Sequence, residues 1–363
     1  MSEIRVLVIA TVELTYNGIT SVIMNYYRNI NRSKVQFDFV LGCGAQDWVV
    51  DEITQNGGKV YNVPCRKKNV FKYVQKLKDI IRENNYKIIH AHGNSGTLYI
   101  DIHTAKLAGA PIRIAHSHNS TCNHKLAHSI LKAPLNREIT HAFACSKLAG
   151  DWLYNKKYTI LNNGIEIDKF LFNNDIRNEY RKKMGLENEF VIGHIGHFSY
   201  QKNHDFLLDI FFEVHKIIKN SKLILIGDGA LRKSIEEKIT SLELKESVQI
   251  LGKRNDVEKL IQAMDVFVFP SRFEGLPVVL VETQTSGIQC IASDVITRES
   301  NITGKVEYIN LKKEAKFWAE KIIKYNLNYK RDDVLDSILS SKFNIKNETK
   351  KLEEFYLSQL TWD

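Results

Sequence analysis

No stretch of this 363-residue chain comes near the roughly 20 consecutive apolar residues that a membrane-crossing helix needs, so anchoring by a transmembrane helix is not expected. The opening Met1-Ser-Glu-Ile-Arg-Val-Leu-Val8 runs directly into a strand pattern and lacks the layout of a signal peptide, which makes the cytoplasm the expected location. Cysteine is scarce and poorly placed for cross-linking: Cys43, Cys65, Cys122, Cys145 and Cys290 are scattered, odd in number and free of C-x-x-C spacing. A disulfide framework and a cysteine zinc site are therefore not expected, and the five read as buried thiols. No internal repeat or low-complexity tract stands out.

What the chain does have is alternation. Its length suggests two domains at a prior of about 150 residues each, and 44% hydrophobic residues are enough to bury substantial cores. Short β-branched and aromatic runs alternate with helical patterns from end to end, which argues for an α/β protein with parallel sheets. Residues 4–10, 37–41, 59–63, 88–91, 112–115 and 142–145 read as strands in the first half. In the second half, residues 190–195, 221–226, 247–251, 266–270 and 289–292 do so. Each series reads as one doubly wound unit. The polar segment Leu161-Asn-Asn-Gly-Ile-Glu-Ile-Asp168 marks the join, giving domains over 1–163 and 164–343. A final amphipathic helix over 344–363 carries Leu352, Phe355, Tyr356 and Leu360 on its apolar stripe.

The net charge of +9 is unevenly spread. Residues 1–165 hold 21 Lys and Arg against 11 Asp and Glu, whereas residues 166–363 hold 30 against 31. In Phe71-Lys-Tyr-Val-Gln-Lys-Leu-Lys-Asp-Ile-Ile-Arg82 the apolar positions Phe71, Val74, Leu77 and Ile81 follow a helical period, leaving Lys72, Lys76 and Lys78 on other faces. Such lysines form a solvated face, or they attract an anionic partner: a membrane surface or a phosphate-bearing acceptor. Nucleic acid is not an expected partner, because the basic residues form no base-reading module.

The most informative segment is Glu274-Gly-Leu-Pro-Val-Val-Leu-Val-Glu282, which follows the strand-like Asp265-Val-Phe-Val-Phe-Pro-Ser271. Gly275 and Pro277 fit a tight loop feeding a helix with proline in its first turn. Free amides near Gly275 and Leu276 would face a diphosphate, and carboxylates on either side would accept from sugar hydroxyls. The plainer alternative is a pair of acids favoured by a helix start. A second segment, Ile192-Gly-His-Ile-Gly-His-Phe-Ser-Tyr-Gln-Lys-Asn203, also follows a strand, with glycines for close backbone approach and Lys202 as a cation for phosphate.

Together these segments resemble the E-x7-E and G-R-x(4)-K motifs of the retaining glycosyltransferases of family 4, of the bacterial capsular and exopolysaccharide type. The resemblance runs through both halves of the chain and is firmer in the second. It implies the GT-B architecture, two Rossmann-like domains facing across a cleft, the first on the acceptor side and the second binding a nucleotide-sugar. It further implies that Glu274 touches the donor sugar, Glu282 the ribose and Lys202 the diphosphate, with Gly196 and His197 in the same loop. The family's arginine is replaced here by His197, which lacks a guanidinium fork and is only partly charged near neutrality.

The resemblance extends to weaker segments. In Pro111-Ile-Arg-Ile-Ala-His-Ser-His-Asn119, His118 corresponds to a histidine reaching the donor sugar from the first domain, with His116 as the lesser candidate. His-x-His could instead be a metal pair, for which the sequence offers no evident third ligand, or a pair of structural histidines. Asn17 and Gly18 stand where the family has a glycine-rich loop facing both substrates, although an ordinary turn explains them as well. Gly227, in Ile224-Leu-Ile-Gly-Asp-Gly229, is expected near the nucleotide and Lys253 near the base. The chain has no D-x-D triplet of the metal-holding kind, which fits the metal-independent transfer without cofactor that the resemblance implies.

The implied activity is transfer of a hexosyl or N-acetylhexosaminyl group from a UDP-sugar to an acceptor hydroxyl. The expected acceptor is a lipid-linked saccharide in surface polysaccharide synthesis, used by a peripheral protein at the inner face of the cell membrane. Two alternatives share the architecture: a nucleotide-sugar epimerase, and a catalytically weak sugar-nucleotide binding protein.

Overall fold

A computed structural model describes residues 3–327, 331 and 333–359. It divides into two compact units, Met1–Gly164 with Ile345–Asp363, and Ile165–Asn344. The first unit holds a parallel sheet of β1 (Ile4–Ala10), β2 (Val35–Leu41), β3 (Val60–Asn62), β4 (Ile88–Gly93), β5 (Ile112–Ser117), β6 (His141–Ala144) and β7 (Thr159–Ile160), ordered β3-β2-β1-β4-β5-β6-β7. The second holds β8 (Phe190–Ile195), β9 (Ser221–Ile226), β10 (Val248–Gly252), β11 (Val266–Phe269), β12 (Gln289–Ser293) and β13 (Val306–Ile309), ordered β10-β9-β8-β11-β12-β13 and again parallel. Each unit is thus a doubly wound, Rossmann-like α/β domain, as the sequence leads one to expect.

The strand runs are apolar on both faces because helices cover both faces. Val6 to Ala10 are all buried, and alternate residues of β1 feed two separate cores: Val6, Val8 and Ala10 in one, Leu7 and Ile9 in the other. The second unit repeats the arrangement, with Ile192 and Val268 on one side of the sheet and Val191 and Phe267 on the other. Asp265, just ahead of β11, is a polar anchor. It accepts from the Val191 amide at 2.7 Å and from Arg177 and Arg181 at 2.5 and 3.2 Å. Three donors on one buried carboxylate satisfy the requirement that a buried charge be paired.

Two strands went unread in the sequence, β7 and β13. Both are sheet edges, short and only partly covered, so neither carries a continuous apolar run. The stripe of the helix Val70–Glu83 also differs from expectation: Tyr73, Leu77, Ile80 and Ile81 are buried, while Phe71 is 86% exposed. At about 100° per residue the buried stripe runs through Tyr73, Leu77 and Ile80, and Phe71 projects from a different side of the helix. The cysteines need correction too. Cys145 and Cys290 are buried, but Cys43, Cys65 and Cys122 are only half-buried.

The helix Ile345–Ser358 packs within the first unit, against the helix Gly18–Asn29 and β2. It buries Ile345, Leu352 and Tyr356, and the Tyr356 hydroxyl lies 2.5 Å from His90 Nδ1 on β4. Phe355 is half-buried against the same core, and Leu360 falls outside the described residues.

Candidate functional site

In each sheet the strand order reverses once, between β1 and β4 in the first unit and between β8 and β11 in the second. Ligands of open α/β sheets bind outside the carboxyl ends of the strands at such a reversal, where loops diverge to opposite faces and leave a crevice. The segments after β8 and β11 are those carrying Lys202 and Glu274.

Four bonds lace these two segments together. The Arg272 amide donates to Gln201 O at 2.8 Å, and Asn203 Nδ2 donates to Pro270 O at 3.1 Å. Lys202 Nζ lies 2.7 Å from Glu274 Oε1, and Gln201 Nε2 donates to Glu274 Oε2 at 2.9 Å. The Lys202 ammonium also sits 4.5 Å from the centroid of the Phe269 ring, a cation–π contact. Lys202 and Glu274, read from sequence as separate contacts, thus form one preset ion pair with side chains 15% and 8% exposed. Gln201, which the sequence reading passed over, steadies the carboxylate.

The neighbouring loops close on the same place through backbone contacts. Gly196 N donates to Ile226 O at 2.9 Å, Phe198 N to Asp228 O at 3.0 Å and Gly227 N to Gly252 O at 2.8 Å. Gly227 is required here: its φ is +140°, and a Cβ on it would stand 2.0 Å from Gly196 O. His197 and Lys253 are exposed on this rim. Burial, with the charges of Lys202 and His197, pushes His204 down to about 4, so that imidazole is neutral at pH 7. Lys202 is therefore the full positive charge of residues 196–204.

The helix after Glu274 begins at Val278, with Pro277 in extended conformation as its N-cap residue. This corrects the expectation of proline inside the first turn, and it leaves Gly275 and Leu276 in the preceding loop. Among the described residues no protein acceptor takes their amide protons. Glu282, the fifth helical residue, is half-buried, and no hydrogen-bond donor reaches its carboxylate among the described residues. Burial, reinforced by the charge of Glu258, pushes its carboxyl up from 4.5 to about 7. Two unclaimed amides and an unpaired carboxylate thus follow Glu274 in the chain.

In the first unit, Asn17 caps the helix Gly18–Asn29: its Oδ1 accepts from Thr20 N at 3.0 Å and its Nδ2 donates to Glu13 O at 2.9 Å. The side chain expected to face substrate is thus committed to the backbone. Gly18 has open space around its Cβ position.

His116 and His118 have neighbours that sequence reading missed. β4 also ends in His-x-His, His90 and His92, and the period of two puts all four on one face of paired strands, with His92 opposite His116. The rings stack, with centroids 4.2 Å apart for His90 and His92 and 4.3 Å for His116 and His118. His92 Nδ1 lies 2.8 Å from His118 Nε2, so one of the two donates to the other. Burial pushes His118 down to about 3 and the other three well below the usual histidine range, so the stack is neutral near pH 7. His90, His92 and His116 bring ligand nitrogens within 4.8 Å of one another, so candidate third ligands for a metal do exist. Face-to-face stacking, however, sets in-plane lone pairs side by side, whereas a shared ion needs them convergent.

Comparison with known proteins matches this geometry to a class. The fold is shared with the crystal structure of Anabaena Alr3699/HepE in complex with UDP-glucose, at a TM-score of 0.77 and 18% identity over 99% of this chain and 100% of that one. The family described as glycosyl transferases group 1 matches residues 176–337. The putative glycosyltransferase EpsF of Bacillus subtilis (strain 168) is 34% identical over 321 residues, 84% of this chain and 83% of that one. The UDP-Gal:alpha-D-GlcNAc-diphosphoundecaprenol alpha-1,3-galactosyltransferase of Escherichia coli is 27% identical over 286 residues, 72% of each chain. The chain belongs to the group 1 glycosyltransferases, of the family 4 type.

Proposed function

We propose that this glycosyltransferase moves a sugar from a UDP-sugar to an acceptor hydroxyl with retention at the anomeric carbon, and that it serves surface polysaccharide synthesis on a lipid-linked acceptor. The observation that carries the donor assignment is the junction after β11. A cation pinned at 2.7 Å to one carboxylate, two unclaimed amides and an unpaired carboxylate on the following helix supply donors for a diphosphate and acceptors for hydroxyls. The similarity to a UDP-Gal transferase and to a structure holding UDP-glucose supports uridine as the base and the undecaprenol-linked class of acceptor.

In this reading Lys202 and the amides of Gly275 and Leu276 take up the charge that grows on the departing diphosphate. Glu274 orients the transferred sugar and Glu282 the ribose. Gly196, His197, Gly227 and Lys253 line the nucleotide. His118 is proposed to contact the sugar through its unpartnered Nδ1 as a neutral group, and Gly18 to leave room on the acceptor side. The acceptor attacks from the face the diphosphate leaves, and a phosphate oxygen takes its proton, so neither a dedicated protein base nor a metal ion is required.

Incubation with a panel of UDP-sugars and a polyprenyl-diphosphate saccharide, in the presence of a chelator, tests this reading. Transfer with the anomeric configuration of the donor preserved is the expected result. A new sugar isomer formed from UDP-sugar alone would mean an epimerase, and inversion in the product would overturn the retaining chemistry.

A further inference from the structure

Two helices of the first unit begin with apolar side chains that are exposed among the described residues. Phe71, 86% exposed, is the second residue of Val70–Glu83. Leu126, 77% exposed, is the second residue of Lys125–Glu138, and Ile130, 63% exposed, stands one turn further on the same face. The segment leading into the first helix and the first turn of the second meet at one three-residue turn, Gly96–Leu98. Arg66 donates to Thr97 O at 3.3 Å and to Thr97 Oγ1 at 3.1 Å, and Gly96 N donates to His128 Nδ1 at 3.1 Å. A Cβ on Gly96 would stand 2.5 Å from His128 O and 2.6 Å from Lys132 N, so the turn sits directly against the second helix.

The sequence on either side of these residues carries charge of one sign, and the nearby Asp101 is buried and paired with Arg66. No Asp or Glu occurs from residue 53 to 78 or from 102 to 137. Within those stretches Lys67, Lys68, Lys72 and Lys125 are exposed. Phe71 is thus set among three lysines and Leu126 follows a fourth. Exposed apolar side chains on helix starts, bordered by unopposed lysines, have the composition of an interfacial membrane-binding surface, where apolar groups enter the headgroup boundary and lysines meet anionic lipid.

We propose that this face, Phe71, Leu126 and Ile130 with Lys67, Lys68, Lys72 and Lys125, docks on an anionic lipid bilayer. The proposal extends the reading above, because a surface that binds lipid is where a lipid-linked acceptor is found. It also gives a role to Phe71, a large apolar side chain that the fold leaves in solvent. Adjacent lysines without acids suit a uniformly negative plane, and a protein partner of the same character is the competing occupant that the experiment separates.

The test is co-sedimentation of the full chain with vesicles of phosphatidylcholine alone and of phosphatidylcholine with phosphatidylglycerol, together with gel filtration and UDP titration. The wild type is expected to partition onto the anionic vesicles and to come off as salt rises. The triple variant Phe71→Ser/Leu126→Ser/Ile130→Ser should partition at least about tenfold less, and Lys67→Gln/Lys68→Gln/Lys72→Gln should lose both partitioning and its salt dependence. All six positions are at the surface, so melting temperature and UDP affinity should match the wild type. Equal partition on neutral and anionic vesicles, or variants that partition as the wild type does, would overturn the proposal. A triple serine variant that turned a dimer into a monomer without changing vesicle binding would also overturn it. Failure to bind vesicles with UDP binding intact defeats this inference alone, whereas loss of UDP binding by the wild type defeats the donor reading instead.

Discussion

Lys202→Ala is expected to lower kcat/KM for sugar transfer by roughly 10²–10³-fold, the usual loss when one preorganised donor to developing charge is removed. Residues 196–204 hold no other lysine or arginine: the family's arginine position is His197, which has no guanidinium, and burial keeps His204 near 4. The ammonium is also held in place before substrate arrives, by Glu274 Oε1 at 2.7 Å and the Phe269 ring at 4.5 Å. Replacement therefore removes both the charge and its positioning. Glu274 keeps its bond from Gln201, so the variant should stay folded, with a stability loss on the order of 1–3 kcal/mol for a partly buried carboxylate short of one partner. Because diphosphate charge grows as the bond to the sugar breaks, kcat should fall further than donor affinity. Lys202→Arg should recover part of the loss. Steady-state kinetics beside thermal melts decide it, and a kcat/KM within threefold of wild type would remove Lys202 from the chemistry.

Glu282→Gln is expected to flatten the pH dependence of donor binding and to weaken binding at pH 8 by about 10–100-fold, the 1.5–3 kcal/mol of a hydrogen bond to a charged group. In the free protein the carboxyl titrates at about 7. Ribose hydroxyls donate to its ionised form, so binding below that value first requires loss of the proton. Wild-type affinity should therefore fall as pH drops from 8 to 6, approaching tenfold in that window. The titration belongs with the UDP-sugar active in transfer and not with UDP, whose terminal phosphate itself titrates near pH 6.

The same residue sets a stability trade. Folding raises the carboxyl from 4.5 to about 7, so its contribution to stability is complete below 4.5 and is lost as pH rises through 7. At pH 8 the ionised group opposes folding by up to about 3 kcal/mol. Glu282→Gln should accordingly melt higher than wild type at pH 8 while binding donor less well. A variant that melts lower and keeps wild-type affinity would contradict both parts. An unpaired, partly buried carboxylate that destabilises the resting protein is what a ligand site looks like before its ligand arrives.

Much of the fold is legible in the sequence, because central parallel strands are apolar on both faces and announce themselves as continuous runs. β1, β8 and β9 begin and end where the runs do. Edge strands lack that signature, which is why Thr159–Ile160 and Val306–Ile309 pass unnoticed. Periodicity also misleads where a short helix offers two overlapping apolar lines: Phe71, Val74, Leu77 and Ile81 keep helical spacing, but the buried face is centred on Tyr73, Leu77 and Ile80 and leaves Phe71 outside it.

In the site, what sequence cannot convey is convergence across the strand order. Lys202 and Glu274 are 72 residues apart, and only the reversal between β8 and β11 makes them partners. The four-histidine stack is hidden for the same reason. Each His-x-His pair is visible on its own, but their meeting depends on the parallel register that sets His92 against His116. Gln201 could have been noticed, since it adjoins Lys202. Nothing in the residue pattern, however, shows that its amide reaches a carboxylate following β11, three strands later in the chain and adjacent to β8 in the sheet. Nor does sequence show that the Asn17 side chain is spent on capping Thr20.

A crystal structure with UDP bound tests the central claim most directly, that the junction after β11 holds the donor. The account predicts the diphosphate on the amides of Gly275 and Leu276 beside Lys202, with the ribose hydroxyls on Glu282. UDP bound elsewhere, or turned so that no ribose oxygen approaches Glu282, would contradict it.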